Sequence, residues 1–469
     1  PQSVIDSMAQ GGKWVVRNTR SAMATFLTYS ERRDLREKAF KLWSVRGDMG
    51  GKTDNNKVVA EILRLRARRA RLLGFPTFAH WRLENSMAKT PEAAMKLMMQ
   101  VWPAAKARVA EEVKDMQAIA GHEIEPWDYR FYAEKVRKAK YDLDENEIKP
   151  YFQLDKLKGG LFFMAKQLYG FDFTKEKAPT LRDDIEVYEV TRQGHVGDWY
   201  FDPYARNGKS SGAWMNEYRT QENFKKPVAP IVSNNSNFAK TTGGKPVLLS
   251  FDDAETMFHE FGHALHGLNS KAHYPMLAGT NVARDFVEFP SQMHENFLTT
   301  PQVLSQFAIH AETGQSMPQE LVAKIKRSST FNQGFATTEF LASAILDMKL
   351  HLAGDVEIDP REFEKKALAE LGMPKEIIMR HRIPHFGHLF SSDGYAAGYY
   401  SYLWSEVLAH DAYEAFEEAG DPYDPKVAKS FRENIMEVGN TLDPAQAYRN
   451  FRGRDATIDA LLRGRGFSK

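Results

Sequence analysis

The chain has 469 residues, 42% of them apolar, with a mean hydropathy of −0.51; it can bury a large core and form more than one lobe, and no apolar run approaches the ~20 residues of a membrane span. Its 63 basic and 62 acidic residues leave a net charge of +1, which gives no reason to expect nucleic acid or a membrane as partner. Cysteine is absent, which excludes disulfides and thiol chemistry and leaves His and carboxylates as the ligands for a zinc site.

The chain begins at Pro1 without Met, and residues 1–25 lack the apolar core of a secretory signal. A truncated, processed or cleaved start is the expectation. The composition fits a cytoplasm or a periplasm equally well, and the cytoplasm is the expected compartment. Helix formers at helical spacing predict helices over 31–45, 56–73, 91–120 and 128–140, punctuated by Gly50-Gly51, by Gly74 to Pro76 and by Gly121. The densest basic run, Arg64, Arg66, Arg68, Arg69 and Arg71, shares one of these helices with Ile62, Leu65, Leu72 and Leu73. It reads as a solvated helix face rather than a nucleic-acid patch.

Around 184–250 the pattern changes. Ile185, Val187, Tyr188 and Val190, then Gln193-Gly194, then Trp199 to Phe201 predict a β-hairpin. Val228 to Val232 and Val247 to Leu249 are further predicted strands. The stretch 210–214 is the candidate for an exposed strand that pairs with an extended peptide backbone, because Gly212 permits close approach. Gly212 and Ala213 are thus substrate-binding candidates, with an ordinary surface loop as the competing reading. From Phe251 onward the pattern is again mostly helical. The expected division is a helical region over 1–180 and a catalytic region over 181–469.

Residues 250–268 read as one helix, started by Ser250 with Asp253 three residues later, a relative of the capping box. Within it lies an H-E-x-x-H motif, His259 to His263. Imidazoles four residues apart lie on one helix face, one turn apart. They can reach one tetrahedral Zn²⁺, with Glu260 as general base on a metal-activated water. The implied chemistry is peptide hydrolysis. Gly262 costs about 1 kcal/mol in helix propensity, and close approach of another group explains it better than helix stability does. Catalytic zinc needs a third protein ligand. Downstream, 281–297 offers Asp285, Glu288 and Glu295. Glu288 lies among Phe286, Val287 and Phe289, a costly setting for an unpaired charge, and is the preferred ligand over His266 and His294. The competing reading is a carboxylate reaching solvent at a helix start, with Pro290 in the first turn.

Near the C-terminus a Ser-Ser-Asp-Gly turn at 391–394 precedes a predicted helix in which Tyr395, Tyr399 and Tyr402 share a face. An aromatic core stripe is one reading. Buried phenols need hydrogen-bond partners, however, and a polar cleft supplies them; phenols and an imidazole such as His388 can also stabilise an oxyanion.

Taken together, FHEFGHALHG at 258–267, RDFVEFPSQ at 284–292, Gly387-His388 and GYAAGYYSYLW at 394–404 resemble the thimet-oligopeptidase family of zinc peptidases, most closely its bacterial peptidyl-dipeptidase branch. RNGKSSGAWM at 206–215, LGFP at 73–76 and FRGR at 451–454 also fit, and the likeness runs along essentially the whole chain. The resemblance implies a mainly α, two-lobed, neurolysin-like fold with a small β-sheet next to the zinc helix and a deep channel. It implies one Zn²⁺ per chain on His259, His263 and Glu288, and Glu260 as base. His388, Tyr395, Tyr399 and Tyr402 would surround the substrate, with Tyr402 or Tyr395 holding the oxyanion. Its implied partners are short unfolded peptides, with a monomer as the expected state. The resemblance also implies a further N-terminal helical region in family members, which is expected to be absent from a chain that begins at Pro1. The implied activity is release of C-terminal dipeptides, which requires a cation for the substrate's free carboxylate; the sequence singles out no particular Arg or Lys. The competing readings are an endo-acting oligopeptidase of the same family and, from another class, a non-catalytic peptide-binding protein.

Overall fold

The computed structural model describes residues 5, 8–18, 20–143, 145–210, 212–241 and 244–468. The first residue, Pro1, and Ser211 of the predicted strand edge lie outside the described residues. The chain groups into two compact units: one of Pro1–Asp142, Arg327–Tyr400 and Arg465–Lys469, the other of Leu143–Lys326 and Ser401–Gly464. Each unit is assembled from separate stretches of chain. The division expected at 180 does not separate them, because the helices 327–400 complete the core of the first unit rather than extending the second.

The first unit is mainly helical, with one short antiparallel pair of Ala9–Gln10 and Lys13–Trp14. Its longest helix, Pro91–Ala120, starts where the Thr90 hydroxyl accepts from Ala93 N, with Pro91 in the first turn, and stops at Gly121 in the left-handed conformation. This is the expected pairing of an N-terminal Pro with a C-terminal Gly. Against it packs Gln333–Leu352, with Val109, Val113, Met116 and Phe335 in the shared core. A Cβ on Gly334 would lie 2.7 Å from Val109 N, so glycine permits this crossing. Glu112 completes it by accepting from Gly334 N and Phe335 N at 2.9 and 3.0 Å, a helix cap supplied by the neighbouring helix. The predicted helices 31–45, 56–73 and 128–140 are found as Arg33–Ser44, Asn56–Leu72 and Tyr129–Tyr141. The basic run departs from a wholly solvated face at Arg66. That side chain is buried, donating to Asp393 Oδ1 at 2.7 Å and to Leu389 O at 2.5 Å.

The second unit holds a five-stranded sheet of β1 (Asp172–Glu176), β2 (Glu186–Thr191), β3 (His195–Tyr204), β4 (Trp214–Arg219) and β5 (Ile231–Phe238). The spatial order is β1-β2-β3-β5-β4, with β3 and β5 parallel and the other pairs antiparallel. The predicted hairpin is β2–β3, turned at Gln193 and Gly194, both at positive φ. The strand expected at 228–232 instead runs Ile231–Phe238, and Val228 makes only an isolated bridge to Glu222. Residues 247–249 form no strand; Leu248 bridges to Gln153. One face of the sheet, with Trp199, Phe201 and Val232 buried, packs on the helix α1 (Phe251–Asn269). The Trp199 and Phe261 rings meet edge-on at 5.2 Å. The chain is therefore mainly α with a small mixed sheet beside the helix that carries the H-E-x-x-H motif. No helix among the described residues is long and apolar enough to cross a membrane.

Candidate metal centre and active site

Helix α1 begins with a complete capping box: Asp253 N donates to the Ser250 hydroxyl at 3.1 Å and Ser250 N to Asp253 Oδ2 at 3.4 Å. Two turns on, His259 and His263 present their rings side by side, centroids 4.9 Å apart. Gly262 faces the helix α2 (Arg284–Glu295), and a Cβ there would sit 2.7 Å from Ser291 Cα and 3.1 Å from His294 Nδ1. The glycine thus sets the α1–α2 distance. Glu288, one turn before Ser291, reaches both imidazoles: its Oε2 is 3.0 Å from His263 Nε2 and 3.3 Å from His259 Nε2. Gly262→Ala is expected to cost about 1–3 kcal/mol through overpacking and to weaken metal binding, because relief moves Glu288 off the histidine pair. Thermal melting beside a zinc titration checks both effects.

Glu288 is 4% exposed and lies inside α2, with Pro290 in the helix interior. The reading of a solvated carboxylate at a helix start therefore fails. His266 and His294 are fully buried and stand outside the group. Burial pushes them down to about 3 and about 4, and His294 accepts from the Tyr169 hydroxyl at 2.7 Å while donating through Nδ1 to Pro290 O.

One ligand atom from each of His259, His263 and Glu288 lies within 4.8 Å of the others. Ligands about 2.0–2.1 Å from a tetrahedral zinc are about 3.3 Å apart, close to the spacings found here. The chemistry of the set, two imidazoles and one carboxylate, suits zinc. Burial raises the Glu288 carboxyl, but the charges and hydrogen bonds of the two imidazoles hold it well below the usual range. Burial likewise lowers His259, and its bonds with Glu288 and Glu295 carry it well above its ordinary value. A buried oxygen of Glu260, Oε2, has no hydrogen-bond partner among the described residues, which leaves its accepting capacity unclaimed by the protein. Burial pushes this carboxyl up. The backbone of Glu260 is anchored separately: its carbonyl accepts from Asn234 Nδ2 at 2.6 Å, and Asn234 Oδ1 accepts from Trp199 Nε1.

Sequence reasoning named Glu295 only as one of three acidic residues. Its Oε1 lies 2.6 Å from His259 Nδ1, fixing the ring so that Nε2 points at Glu288. The available signal was its seven-residue spacing from Glu288, two turns along the same face. Glu295→Gln is expected to lower zinc affinity about 10- to 100-fold, read by competition with a chromophoric chelator; unchanged affinity would take this role from Glu295.

The tyrosine segment differs from its prediction. Residues 394–400 form turns, not a helix, with Ala397 at φ 55°. The buried Asp347 carboxylate explains this, accepting from Ala397 N and Tyr399 N at 2.9 Å each and so taking the amides a helix would use. Tyr395 and Tyr399 belong to the first unit, where they surround His388 at ring distances of 5.6 and 5.1 Å. Tyr402 belongs to the second unit, in the first turn of the helix α3 (Ser401–Ala419). Its carbonyl accepts from Gln292, one turn beyond Glu288 in α2. The three phenols therefore share no helix face. Gly212 and Ala213 precede the edge strand β4 rather than lying in it. Gly212 sits at φ 89°, and Asn237 Nδ2 donates to its carbonyl at 2.7 Å.

A family model described as Peptidase family M3 matches residues 26–467. The chain is 40% identical over 468 residues to the dipeptidyl carboxypeptidase of Escherichia coli (strain K12), covering 97% of this chain and 68% of that one. It is 34% identical over 460 residues to oligopeptidase A of the same strain, covering 93% and 66%. It thus spans about two thirds of the length of these relatives. Among solved structures, PZ peptidase A with an inhibitor aligns over 99% of this chain and 72% of that one, with a TM-score of 0.56 and 16% identity. A Pyrococcus furiosus carboxypeptidase aligns over 95% and 80%, with a TM-score of 0.53 and 14% identity. At these identities the structural likeness speaks for the fold alone.

Proposed function

The chain belongs to peptidase family M3, and on that premise we propose that it is a zinc peptidyl-dipeptidase, releasing dipeptides from the C-termini of short peptides. The observation that carries this reading is the convergence of His259, His263 and Glu288 near Glu260, whose Oε2 has no hydrogen-bond partner among the described residues. The choice of dipeptide release over internal cleavage is supported by the identity to a dipeptidyl carboxypeptidase, which exceeds that to oligopeptidase A.

His259, His263 and Glu288 are the residues that would hold zinc. When bound, zinc supplies Lewis acidity, polarising the scissile carbonyl and lowering the pKa of water. Glu260 then takes the proton of the attacking water and delivers it to the leaving amine. Glu295 keeps His259 oriented, and Asn234 keeps the Glu260 backbone in place. Tyr402, in the same unit as the three ligands, would donate its phenol to the developing oxyanion. Gly212 and Ala213 offer backbone to the peptide beside β4.

Digestion of a free-acid nonapeptide, followed by mass spectrometry, tests the reading. Dipeptides should appear in sequence from the C-terminus, and a chelator should stop their release until zinc is restored. Internal fragments with C-terminal amidation making no difference would instead assign an endo-acting oligopeptidase.

A further inference from the structure

The second unit contains a cationic pocket that its own carboxylates do not balance, and every residue lining it belongs to that unit. The pocket is open and has a volume of about 560 Å³. Its walls are the end of the helix Leu154–Tyr169, the β2–β3 turn, and the helix Pro425–Phe431 with the π-helical turn Arg432–Met436 that continues it. Lys166, Arg192, Lys429 and Arg432 line it, against Asp172 as the single lining carboxylate. Glu437, buried, is shared by three cations: its Oε1 lies 2.9 Å from Lys271 Nζ, 3.2 Å from Arg432 Nε and 3.7 Å from Arg192 Nη2. Neither this oxygen nor the buried Arg432 Nε has a hydrogen-bond partner among the described residues. The π turn brings the two residues together, because Glu437 N donates to Arg432 O at 2.9 Å; such turns are rare and are frequent at functional sites. The Arg192 side chain makes one hydrogen bond among the described residues, from Nη1 to Tyr169 O at 3.4 Å, and its guanidinium lies over the Phe171 ring at 5.1 Å. Burial and the charge of Arg432 lower this guanidinium. The ion pairs here join five cations, Lys166, Arg192, Lys271, Lys429 and Arg432, to three carboxylates, Asp172, Glu433 and Glu437. The excess is two positive charges.

We propose that this pocket binds a phosphate dianion, either free or carried as the monoester of a small molecule. A phosphate monoester carries about −1.5 to −2 charges at pH 7, which matches the excess. Guanidiniums donate to its oxygens in pairs, and Arg192 is held by Phe171 with most of its donors unused. A carboxylate brings one charge and two oxygens, and would leave half the excess unmet. Lys166 and Lys429, with side chains 50% and 66% exposed, stand free to close on the anion. The same walls support α2. The Tyr169 hydroxyl bonds His294 at 2.7 Å, and the Phe431 ring meets Phe289 edge-on at 5.7 Å. An anion tying these segments together should stabilise the folded chain by mass action. The site is independent of the reaction proposed above.

The test is calorimetric titration of the zinc-loaded protein with inorganic phosphate, with adenosine monophosphate and with acetate. The wild type is compared with Arg192→Gln, Lys429→Gln and Lys240→Gln, and circular dichroism melting monitors folding. Phosphate or the nucleotide should bind saturably at one site per chain, and acetate about 10-fold more weakly or worse. The tighter of the two phosphates tells whether the free or the carried form is preferred. Arg192→Gln and Lys429→Gln should each weaken that binding about 10-fold or more, the range for losing hydrogen bonds to a charged group. Lys240→Gln removes the same charge outside the pocket, from a pair with Asp184, and should leave the affinity unchanged. Lys429 is exposed, so its variant decides should Arg192→Gln fail to fold. No saturable binding, or wild-type affinity in folded Lys429→Gln, overturns the site. An equal loss in Lys240→Gln overturns it as well, because the attraction would then be diffuse. Binding that disappears in Glu288→Ala would place the phosphate on the metal and overturn it too.

Discussion

Replacing Glu260 by Gln is expected to leave zinc binding about unchanged and to lower kcat by about 10²–10⁴-fold, the usual worth of a general acid–base group. The side chain keeps its length and stays clear of the three ligand atoms, so the metal has no reason to leave. What is lost is the capacity to accept a proton. The wild-type Oε2 is buried with no hydrogen-bond partner among the described residues, and the carbonyl of the same residue is fixed by Asn234, so neither the fold nor the placement of α1 should depend on the carboxylate charge. Metal content by elemental analysis, paired with hydrolysis of a fluorogenic peptide, gives the answer. Substantial turnover in the variant would move the proton transfer to another group.

Glu288→Ala is expected to have an effect of comparable size by a different route. Structural zinc sites with four ligands bind with about 10–16 kcal/mol. That is about 3 kcal/mol per ligand, or roughly 10²–10³-fold in affinity for each one removed. The loss of activity should therefore follow loss of metal, and excess zinc should recover part of it, which it will not do for Glu260→Gln. The metal-free variant should stay folded, because α2 is held against α1 by the Gly262–Ser291 contact and by buried Phe286, Phe289 and Met293. Calorimetric zinc titration together with melting of the metal-free form measures both. Zinc bound by the variant as tightly as by the wild type would show that Glu288 is no ligand.

The parts of this site that were legible in the sequence are those fixed by local rules. Helix periodicity places His259 and His263 on one face, Ser250 and Asp253 mark where their helix starts, and Gly262 signals that another backbone comes close. The parts that were not legible depend on residues distant in sequence. The segment with Tyr395 and Tyr399 has helical spacing, yet Asp347, some fifty residues earlier, captures two of its amides and holds it in turns. Strand β5 contains Ser233, Asn234, Asn235 and Ser236, all buried. A polar run of this kind gives no strand signal by hydrophobic pattern, and it is tolerated because Trp199, Glu260 and Trp214 supply hydrogen-bond partners. Residues 247–249 carry the apolar signature of a strand but pair only through Leu248. Composition likewise cannot reveal that residues 327–400 rejoin the first unit, since that depends on Gly334 and Glu112 locking two helices together.

The most direct measurement is anomalous diffraction at the zinc edge from crystals grown with stoichiometric zinc. The account predicts one strong peak per chain, within bonding distance of His259 Nε2, His263 Nε2 and a Glu288 oxygen. A peak bound elsewhere, or no peak between these three side chains, would contradict it.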